Sequence, residues 1–254
     1  MKVLLSNDDG INAPGIKALE EMLSRLSFIK HLDVLAPDRD RSASSKSLTL
    51  DMPLNVLSLG PNRACVNGTP TDCVHLALTG ILKELPDMIV SGINSGANLG
   101  DDVMYSGTVA AAVEGRFLGF PGIAFSLVHQ PNKPAVHYET AAKVAELLLI
   151  RLNKNPLPRK VILNVNVPDV PYAELKGIKV TRLGERHRAE SIYPTKDPRG
   201  RNMYWIGPAG EEHDAGPGTD FDAIRNNYAS VTPLIIDLTN HDQLGLIADW
   251  MTKD

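Results

Sequence analysis

Short apolar runs alternate with helical stripes of apolar residues through the first two thirds of the chain. Val3-Leu4-Leu5 is typical of a buried strand. Later in the sequence, apolar residues from Ile16 to Leu26 recur at the spacing of one helix face. The same pattern predicts strands at 2–6, 32–36, 47–59, 63–66, 87–91, 123–127 and 160–167, and helices from about 14 and at 70–83, 108–117 and 134–151. This alternation predicts an α/β fold with a doubly wound, mostly parallel, Rossmann-like sheet and helices on both faces.

The alternation ends at Pro168. Residues 169–218 are rich in Pro, Gly and charged residues, which favours turns and exposed hairpins over packed helices. The pattern beyond 168 predicts short strands at 178–183, 203–206 and 230–233, and helices at 220–227 and 243–251. We therefore expect a Rossmann-like core at residues 1–168, followed at 169–254 by a β-hairpin extension and a C-terminal tail.

Polar residues follow three of the predicted strands at their carboxyl ends. Asn7-Asp8-Asp9-Gly10 comes directly after the first strand, residues 37–45 follow the second, and residues 92–102 follow the strand at 87–91. Ligands bind at this edge of open α/β sheets, near the point where the strand order reverses. We therefore expect the three loops to meet in one crevice that is lined by carboxylates, amides and hydroxyls.

The adjacent carboxylates of Asp8 and Asp9 are the most informative feature of this crevice. Two like charges at the end of a buried strand are costly unless a cation neutralises them. Their oxygen ligands suit a hard divalent ion, Mg²⁺, Mn²⁺ or Ca²⁺, better than zinc. A tight Asx turn explains the same four residues, and the motif alone does not separate the two interpretations.

The loop at 92–102 has the composition of a ligand-binding loop. Gly92, Gly96 and Gly100 allow positive φ and close approach of the backbone to a ligand, and Asn94 and Asn98 lie between them. The spacing matches neither the dinucleotide fingerprint nor the P-loop. The glycines alone are more typical of a structural turn, whereas Asn94 and Asn98 beside them favour a binding loop of another kind.

Ser106-Gly107-Thr108 opens the helix predicted at 108–117. Ser106 is a good helix N-cap, which is the commoner use of such a serine. The first turn of a helix also binds phosphate through its free N–H groups and the helix dipole. The two roles are compatible at this position.

The composition and net charge of the chain argue against some kinds of binding partner. The net charge of −4 and the absence of a basic run argue against a nucleic-acid polymer as ligand. The chain shows no signal-peptide pattern and no apolar stretch near the roughly 18 residues of a membrane span. Its two cysteines, Cys65 and Cys73, are too few for a disulfide framework. We expect a reduced, cytoplasmic protein without a membrane partner.

Short motifs at residues 6–11, 36–42, 67–74, 91–98, 106–109, 163–168, 219–220 and 230–233 run in order along nearly the whole chain. Together they resemble the SurE family (survival protein E), metal-dependent phosphatases that act on nucleoside monophosphates. Residues 184–218 match that family only loosely. The resemblance implies a SurE-like fold in which residues 1–168 form the catalytic core.

The resemblance also implies roles for individual residues. It assigns one divalent metal cation, Mg²⁺ or Mn²⁺, to Asp8, Asp9, Ser42 and Asn94, with Asp8 and Asp9 as the catalytic carboxylates. It places the substrate phosphate among Asn98, Ser106, Gly107 and Thr108. Members of the family often have His before Ser-Gly-Thr, whereas this chain has Tyr105, so no role is carried over to that position. The resemblance further implies a homodimer or homotetramer assembled partly through C-terminal segments, which residues 169–254 would suit.

The expected activity is metal-dependent hydrolysis of nucleoside 5′-monophosphates, with 3′-monophosphates as further candidate substrates. An aspartyl-phosphate mechanism through Asp8 is disfavoured, because haloacid-dehalogenase phosphatases place one residue between their two aspartates. No G-x-S-x-G elbow is present, which argues against a Ser-His-Asp hydrolase. A metal- and nucleotide-binding sensor without turnover is the alternative from another functional class.

Overall fold

The computed structural model describes residues 1–130, 132–156, 158, 161–187, 191–207 and 209–252, and a nine-stranded sheet forms the centre of this part of the chain. The strands of the sheet are β1 (Lys2–Ser6), β2 (His31–Pro37), β3 (Val56–Gly60), β4 (Arg63–Val66), β5 (Met88–Ser95), β6 (Gly122–Val128), β7 (Ile162–Pro168), β8 (Ile178–Val180) and, after four hairpin strands, β13 (Ala229–Leu234). The hairpin strands are β9 (Glu185–Arg186), β10 (Tyr193–Lys196), β11 (Asn202–Trp205) and β12 (Glu212–Asp214).

The strand order confirms the predicted doubly wound, mostly parallel α/β sheet. The order is β3-β4-β2-β1-β5-β6-β7-β13-β8. The six strands from β4 to β7 in this order run parallel to one another, while β3 and β13 pair antiparallel with β4 and β7. The order reverses at β1, which lies between β2 and β5. The carboxyl ends of β1 and β5 therefore border the crevice in which such sheets bind ligands.

Helices cover both faces of the sheet. They are α1 (Pro14–Arg25), α2 (Pro70–Leu76), α3 (Gly107–Phe117), α4 (Tyr138–Lys154), α5 (Asp220–Arg225) and α6 (Leu244–Met251). Val3 and Leu5 of β1 pack in the core with α1 and α4, whereas Leu4 packs in a second core with α2 and α3. Both faces of β1 are thus buried, which explains its continuous apolar sequence. None of the helices in the described ranges is long and apolar enough to cross a membrane.

The strand predicted at 47–59 is the largest difference between prediction and structure, since only Val56–Gly60 is a strand. The carboxylate of Asp72 binds the preceding segment through Thr49, whose N–H and hydroxyl donate to it at 2.9 and 2.7 Å. The same carboxylate closes a capping box at the start of α2 by accepting the N–H of Thr69 at 2.8 Å. A side chain therefore satisfies the N–H of Thr49, which a strand would have paired in a sheet.

Other boundaries shift for local reasons. The strand predicted at 87–91 extends to Ser95, with a bulge between Ser91 and Asn94. The helix predicted at 70–83 ends as α2 at Leu76 and continues as a π-helical turn, Ala77–Ile81. The helix predicted from 134 begins at Tyr138, because the Asp169 carboxylate accepts the N–H groups of the two residues before it. The predicted strand start at residue 160 lies outside the described residues.

The C-terminal third contributes both to the central sheet and to hairpins. β13 pairs with β7, and β8 pairs with β13, so residues after 168 complete one edge of the central sheet. The predicted β-hairpin extension is confirmed, because β10 pairs with β11 and β12 pairs with β9, both antiparallel. α6 follows β13 and exposes its apolar side chains.

Candidate active site

The turn after β1 presents the two adjacent carboxylates. The side-chain N–H of Asn7 donates to the carbonyl of Gly10 at 2.9 Å and closes the turn. Gly10 has a φ of 99°, and a Cβ at that position would lie 2.9 Å from the carbonyl carbon of Arg39. The turn therefore requires glycine at its end. A tight turn and an acidic pair, the two interpretations of the sequence motif, coexist here.

Asp8, in the turn after β1, lies against the start of α3 and is buried, with 4% of its surface exposed. The Thr108 hydroxyl donates to Asp8 Oδ1, and the N–H of Thr108 also points at this carboxylate. The Asp8 carbonyl accepts the N–H of Arg41 at 2.8 Å, which ties the loop after β2 to the same turn. Burial raises the pKa of Asp8, against the lowering effect of the Thr108 hydrogen bond.

Asp9 is half-buried, and its carboxylate faces the end of β5. Its Oδ2 accepts the N–H of Ser95 at 2.8 Å. Burial, and then the neighbouring charge of Asp8, raises the pKa of Asp9 from 3.8 to about 6. Neither carboxylate forms an ion pair with a Lys, Arg or His side chain in the described ranges. The pair thus carries negative charge that no ion pair in this part of the chain compensates, although His129 has a small lowering effect on the pKa of Asp9.

Ser42 lies on the exposed loop after β2. Its N–H and its hydroxyl both donate to Asp40 Oδ1, at 2.7 and 2.6 Å, so the hydroxyl oxygen keeps its own lone pairs as acceptors. The charge of Asp40 raises the pKa of both Asp8 and Asp9, which places a third carboxylate beside the pair. Sequence reasoning did not select Asp40; its position two residues before Ser42 was the available signal.

Asn94 lies in β5 rather than in the loop where the sequence pattern placed it. The strand continues past Ser91 because of its bulge, and Asn94 is paired in register with Ser126 of β6. The side-chain N–H of Asn94 donates to the carbonyl of Gly96 at 3.0 Å. This hydrogen bond fixes the amide and leaves its oxygen as an acceptor. Asn94 therefore contributes a buried amide oxygen at the carboxyl end of β5.

The predicted phosphate-binding residues lie on two neighbouring elements. Asn98 is buried in the loop after β5, and Ser106, Gly107 and Thr108 form the start of α3. The Ser106 hydroxyl accepts the N–H of Val109 at 3.0 Å, which confirms the predicted N-cap. Tyr105, by contrast, is 67% exposed.

The residues present fit a hard divalent cation. The donor set comprises two carboxylates, an amide oxygen and a hydroxyl, all of them oxygen ligands. Within the described residues no group of three His, Cys, Asp or Glu side chains has the geometry of a metal site, so the amide and hydroxyl have to complete any ligand set around Asp8 and Asp9. The uncompensated buried charge of the pair is the feature that a cation would relieve.

Fold and site together define a doubly wound α/β protein with a paired-carboxylate centre at the point where strand order reverses. The profile of the family described as "Survival protein SurE" matches residues 3–190. The chain is 59% identical to "5′-nucleotidase SurE" of Alkalilimnicola ehrlichii over 253 residues, covering 99% of this chain and 96% of that protein. It is 57% identical to "5′-nucleotidase SurE" of Halorhodospira halophila over 251 residues, covering 99% and 98%.

A solved structure agrees with these comparisons. The crystal structure of the SurE protein from Aquifex aeolicus superposes with a TM-score of 0.85 at 44% identity, covering 99% of this chain and 100% of that one. The chain belongs to the SurE family.

Proposed function

We propose that this protein is a 5′-nucleotidase, a phosphoric monoester hydrolase that converts nucleoside 5′-monophosphates to nucleoside and phosphate. The observation that carries the proposal is the uncompensated pair Asp8 and Asp9 beside the N-terminus of α3, in a chain whose relatives at 55–59% identity are named 5′-nucleotidases. Carboxylates attract a divalent cation, and a helix N-terminus attracts a phosphate. The two features lie in contact through Thr108.

We propose that Asp8, Asp9, Ser42 and Asn94 hold one divalent cation, Mg²⁺ or Mn²⁺. When bound, such an ion polarises a phosphoryl oxygen and lowers the pKa of a bound water. The protein holds the two carboxylates ready for it: Thr108 binds Oδ1 of Asp8, and Ser95 binds Oδ2 of Asp9. These hydrogen bonds limit the rotation of each carboxylate, so little conformational entropy remains to be lost on binding.

Binding of the phosphate is the proposed role of Asn98, Ser106, Gly107 and Thr108. Because the hydroxyl and the N–H of Thr108 are both directed at Asp8, we propose that Thr108 acts by holding the start of α3 beside the carboxylates. The first hydrogen bond between backbone groups of α3 is from the N–H of Ala110 to the carbonyl of Ser106, at 3.0 Å. The N–H of Gly107 therefore precedes the helical ladder and remains a donor for an anion. A donor fixed by a helix needs no reorganisation as charge shifts among the phosphoryl oxygens during hydrolysis.

Phosphate release from a panel of nucleoside 5′- and 3′-monophosphates tests the proposal. We expect release with Mn²⁺ or Mg²⁺, abolition of release by a chelator, and restoration when metal is added back. The panel also ranks the bases and the two phosphate positions. A folded protein that binds nucleotide yet releases no phosphate with any of these metals would instead support a binding sensor.

The free thiols support a reducing location. Cys65 and Cys73 are both buried and form no disulfide. A protein with free cysteines and no disulfide is typical of a reducing compartment. We propose a cytoplasmic protein on this basis.

We also propose assembly as a homodimer or homotetramer through the C-terminal segment. The apolar side chains of α6 are more than half exposed: Leu244, Leu246, Ile247, Trp250 and Met251. A helix that is mostly apolar and packs against little of its own chain is typical of a surface that a second subunit covers. Light scattering should show a dimer or tetramer, and Leu246→Glu with Trp250→Glu should shift the mass toward the monomer. A wild-type monomer at micromolar concentration would contradict this proposal.

A further inference from the structure

We infer that Asn164 and Asn166, on β7, are positioning residues that fix Asn98 for phosphate recognition. The inference rests on the proposed function, because it assigns to these two buried asparagines a part in binding the substrate phosphate. Neither belongs to the sets proposed above for metal or phosphate contact. Both act through the backbone of Asn98.

The backbone of Asn98 is bound on both sides by side chains of β7. Its N–H donates to Oδ1 of Asn166 at 2.9 Å. Its carbonyl oxygen accepts two side-chain N–H groups, from Asn164 at 2.8 Å and from Asn166 at 2.9 Å. Asn166 therefore makes a two-point contact with one peptide-bonded residue, much as a neighbouring strand would. Three hydrogen bonds thus fix the backbone of Asn98, although this residue lies in a loop.

The side chain of Asn98 is restrained as well. Its Nδ2 donates to the hydroxyl of Ser126 on β6 at 2.7 Å. Ser126 is paired in register with Asn166 on one side and with Asn94 on the other. With one N–H of the amide bound, the second N–H and the amide oxygen of Asn98 remain available to a ligand. The network orients these groups before any ligand arrives.

The two asparagines occupy positions where packing alone would favour apolar residues. Asn164 and Asn166 are fully buried and alternate along β7 with Leu163, Val165 and Val167, which face the opposite core. Burial of a polar amide in a sheet is unfavourable unless its hydrogen bonds are satisfied. Both bonds of Asn166 and the side-chain N–H of Asn164 go to Asn98, while Oδ1 of Asn164 has no hydrogen-bond partner among the described residues. The two asparagines therefore bind the loop and do not pair with each other.

The loop is fixed on both sides of Asn98 by other elements. The N–H of Gly96 donates to the carbonyl of Leu127 at 3.0 Å. The N–H of Gly100 donates to Oδ2 of Asp220, the buried first residue of α5, at 2.8 Å. Without the asparagines, no side chain of β7 would hold the backbone of Asn98 between these two fixed ends, and only the bond to Ser126 would hold its side chain. The carboxylate pair is held separately, by Thr108 and Ser95, and would keep its position.

This separation gives the inference a kinetic signature. Loss of the contacts to Asn98 should weaken phosphate binding and leave metal binding intact. Asn166→Ala should lower kcat/KM for a nucleoside 5′-monophosphate by about 10–100-fold, the range typical of residues that orient a binding group. Calorimetry on the Mn²⁺-loaded protein should show a similar loss of affinity for inorganic phosphate. The affinity for Mn²⁺, titrated without phosphate, should change less than about twofold.

Thr232→Val is the matched control. Thr232 is buried on the same face, pairs in register with Asn164, and loses a 2.7 Å hydrogen bond to Thr181 when replaced, yet it does not contact Asn98. We expect it to lower the melting temperature without changing the affinity for phosphate. Asn164→Ala, which removes one of the two side-chain N–H groups that bind the carbonyl of Asn98, should show a smaller loss in the same direction as Asn166→Ala and covers the case in which that variant does not fold.

Unchanged phosphate affinity in folded Asn166→Ala, or in folded Asn164→Ala where the first variant does not fold, would overturn the inference. So would a parallel loss of Mn²⁺ and phosphate affinity that Thr232→Val reproduces, since that result indicates a purely structural role. Failure of the proposed function looks different: the wild-type protein itself would release no phosphate from any nucleotide.

Discussion

Replacing Asp9 with asparagine is expected to abolish phosphate release, with a loss of at least about 1,000-fold in kcat/KM. Asparagine keeps an oxygen that can accept the N–H of Ser95 at 2.8 Å, so the turn after β1 is retained. It removes one of the two negative charges that we propose attract the cation. Phosphate release at saturating Mn²⁺ measures the loss of activity, and calorimetric titration of Mn²⁺ measures the loss of metal affinity. Metal-dependent turnover within tenfold of the wild type would rule out Asp9 as a ligand.

The metal-free stability of the same variant is its control for folding. The pKa of Asp9 is raised from 3.8 to about 6 in the folded protein. Folding is therefore favoured by this group while it is protonated, below about pH 4, and that stability is lost as the pH rises through 6. Asparagine cannot ionise, so metal-free Asp9→Asn should exceed the wild type in stability at pH 7.5, by roughly 1–3 kcal/mol.

The difference in stability should shrink as the pH falls through 6 and disappear below about pH 3, where Asp9 is protonated in both the folded and unfolded wild type. Chemical denaturation in chelator at the two pH values measures it. An inactive variant that is more stable than the wild type at neutral pH cannot have lost its activity through unfolding. A variant less stable than the wild type at pH 7.5 would contradict the assigned electrostatic strain.

The parts of the fold that could be predicted are those with a local signal. β1 and α1 follow from the run Val3-Leu4-Leu5 and the apolar stripe after it, and the adjacency of Asp8 and Asp9 alone marks the centre of the site. Residues 47–55 have the alternation of apolar residues that is typical of a strand, but they do not form one. Their backbone is held by Asp72, a partner more than 20 residues away, and no local pattern reveals such a contact.

The parts of the site that were missed depend on tertiary contacts. Asp40 affects the carboxylate pair only because the loop after β2 folds back onto Asp8. Asn164 and Asn166 gain their role only when β7 is placed beside the loop of Asn98. A signal for these two did exist, since asparagines at alternate positions of an apolar strand imply a buried polar partner. The identity of that partner required the structure.

The proposed metal ligands and the proposed phosphate-binding residues meet at one contact, the start of α3 against the turn after β1. Thr108 donates to Asp8 from the same helical turn whose N-terminus is proposed to receive the phosphate. A helix N-terminus stabilises negative charge both on the Asp8 carboxylate and on a bound phosphate. Any change that separates α3 from Asp8 should therefore disturb both halves of the site at once.

Gly107→Ala tests this coupling with a single methyl group, and we expect it to lower kcat/KM by about 100-fold. A Cβ at this position would lie 2.8 Å from Cβ of Asp8, 3.0 Å from its Oδ2 and 3.2 Å from Cγ of Pro70. Asp8 cannot move away from the added methyl group without breaking its hydrogen bond to Thr108 or moving the turn that Arg41 binds. A displacement near 1 Å at a catalytic group typically costs about 100-fold in rate. Steady-state kinetics with Mn²⁺ titration measures the effect.

Helix propensity predicts the opposite sign for this substitution. Alanine is favoured over glycine in a helix by about 1 kcal/mol, so a variant governed by propensity would be more stable and fully active. Gly80→Ala is the matched control, because no atom lies within 4 Å of its added Cβ and the residue is exposed and far along the chain from the carboxylates. It should leave the kinetics unchanged. If Gly107→Ala behaves as Gly80→Ala does, the start of α3 does not position Asp8, and the proposed coupling between metal and phosphate sites fails with it.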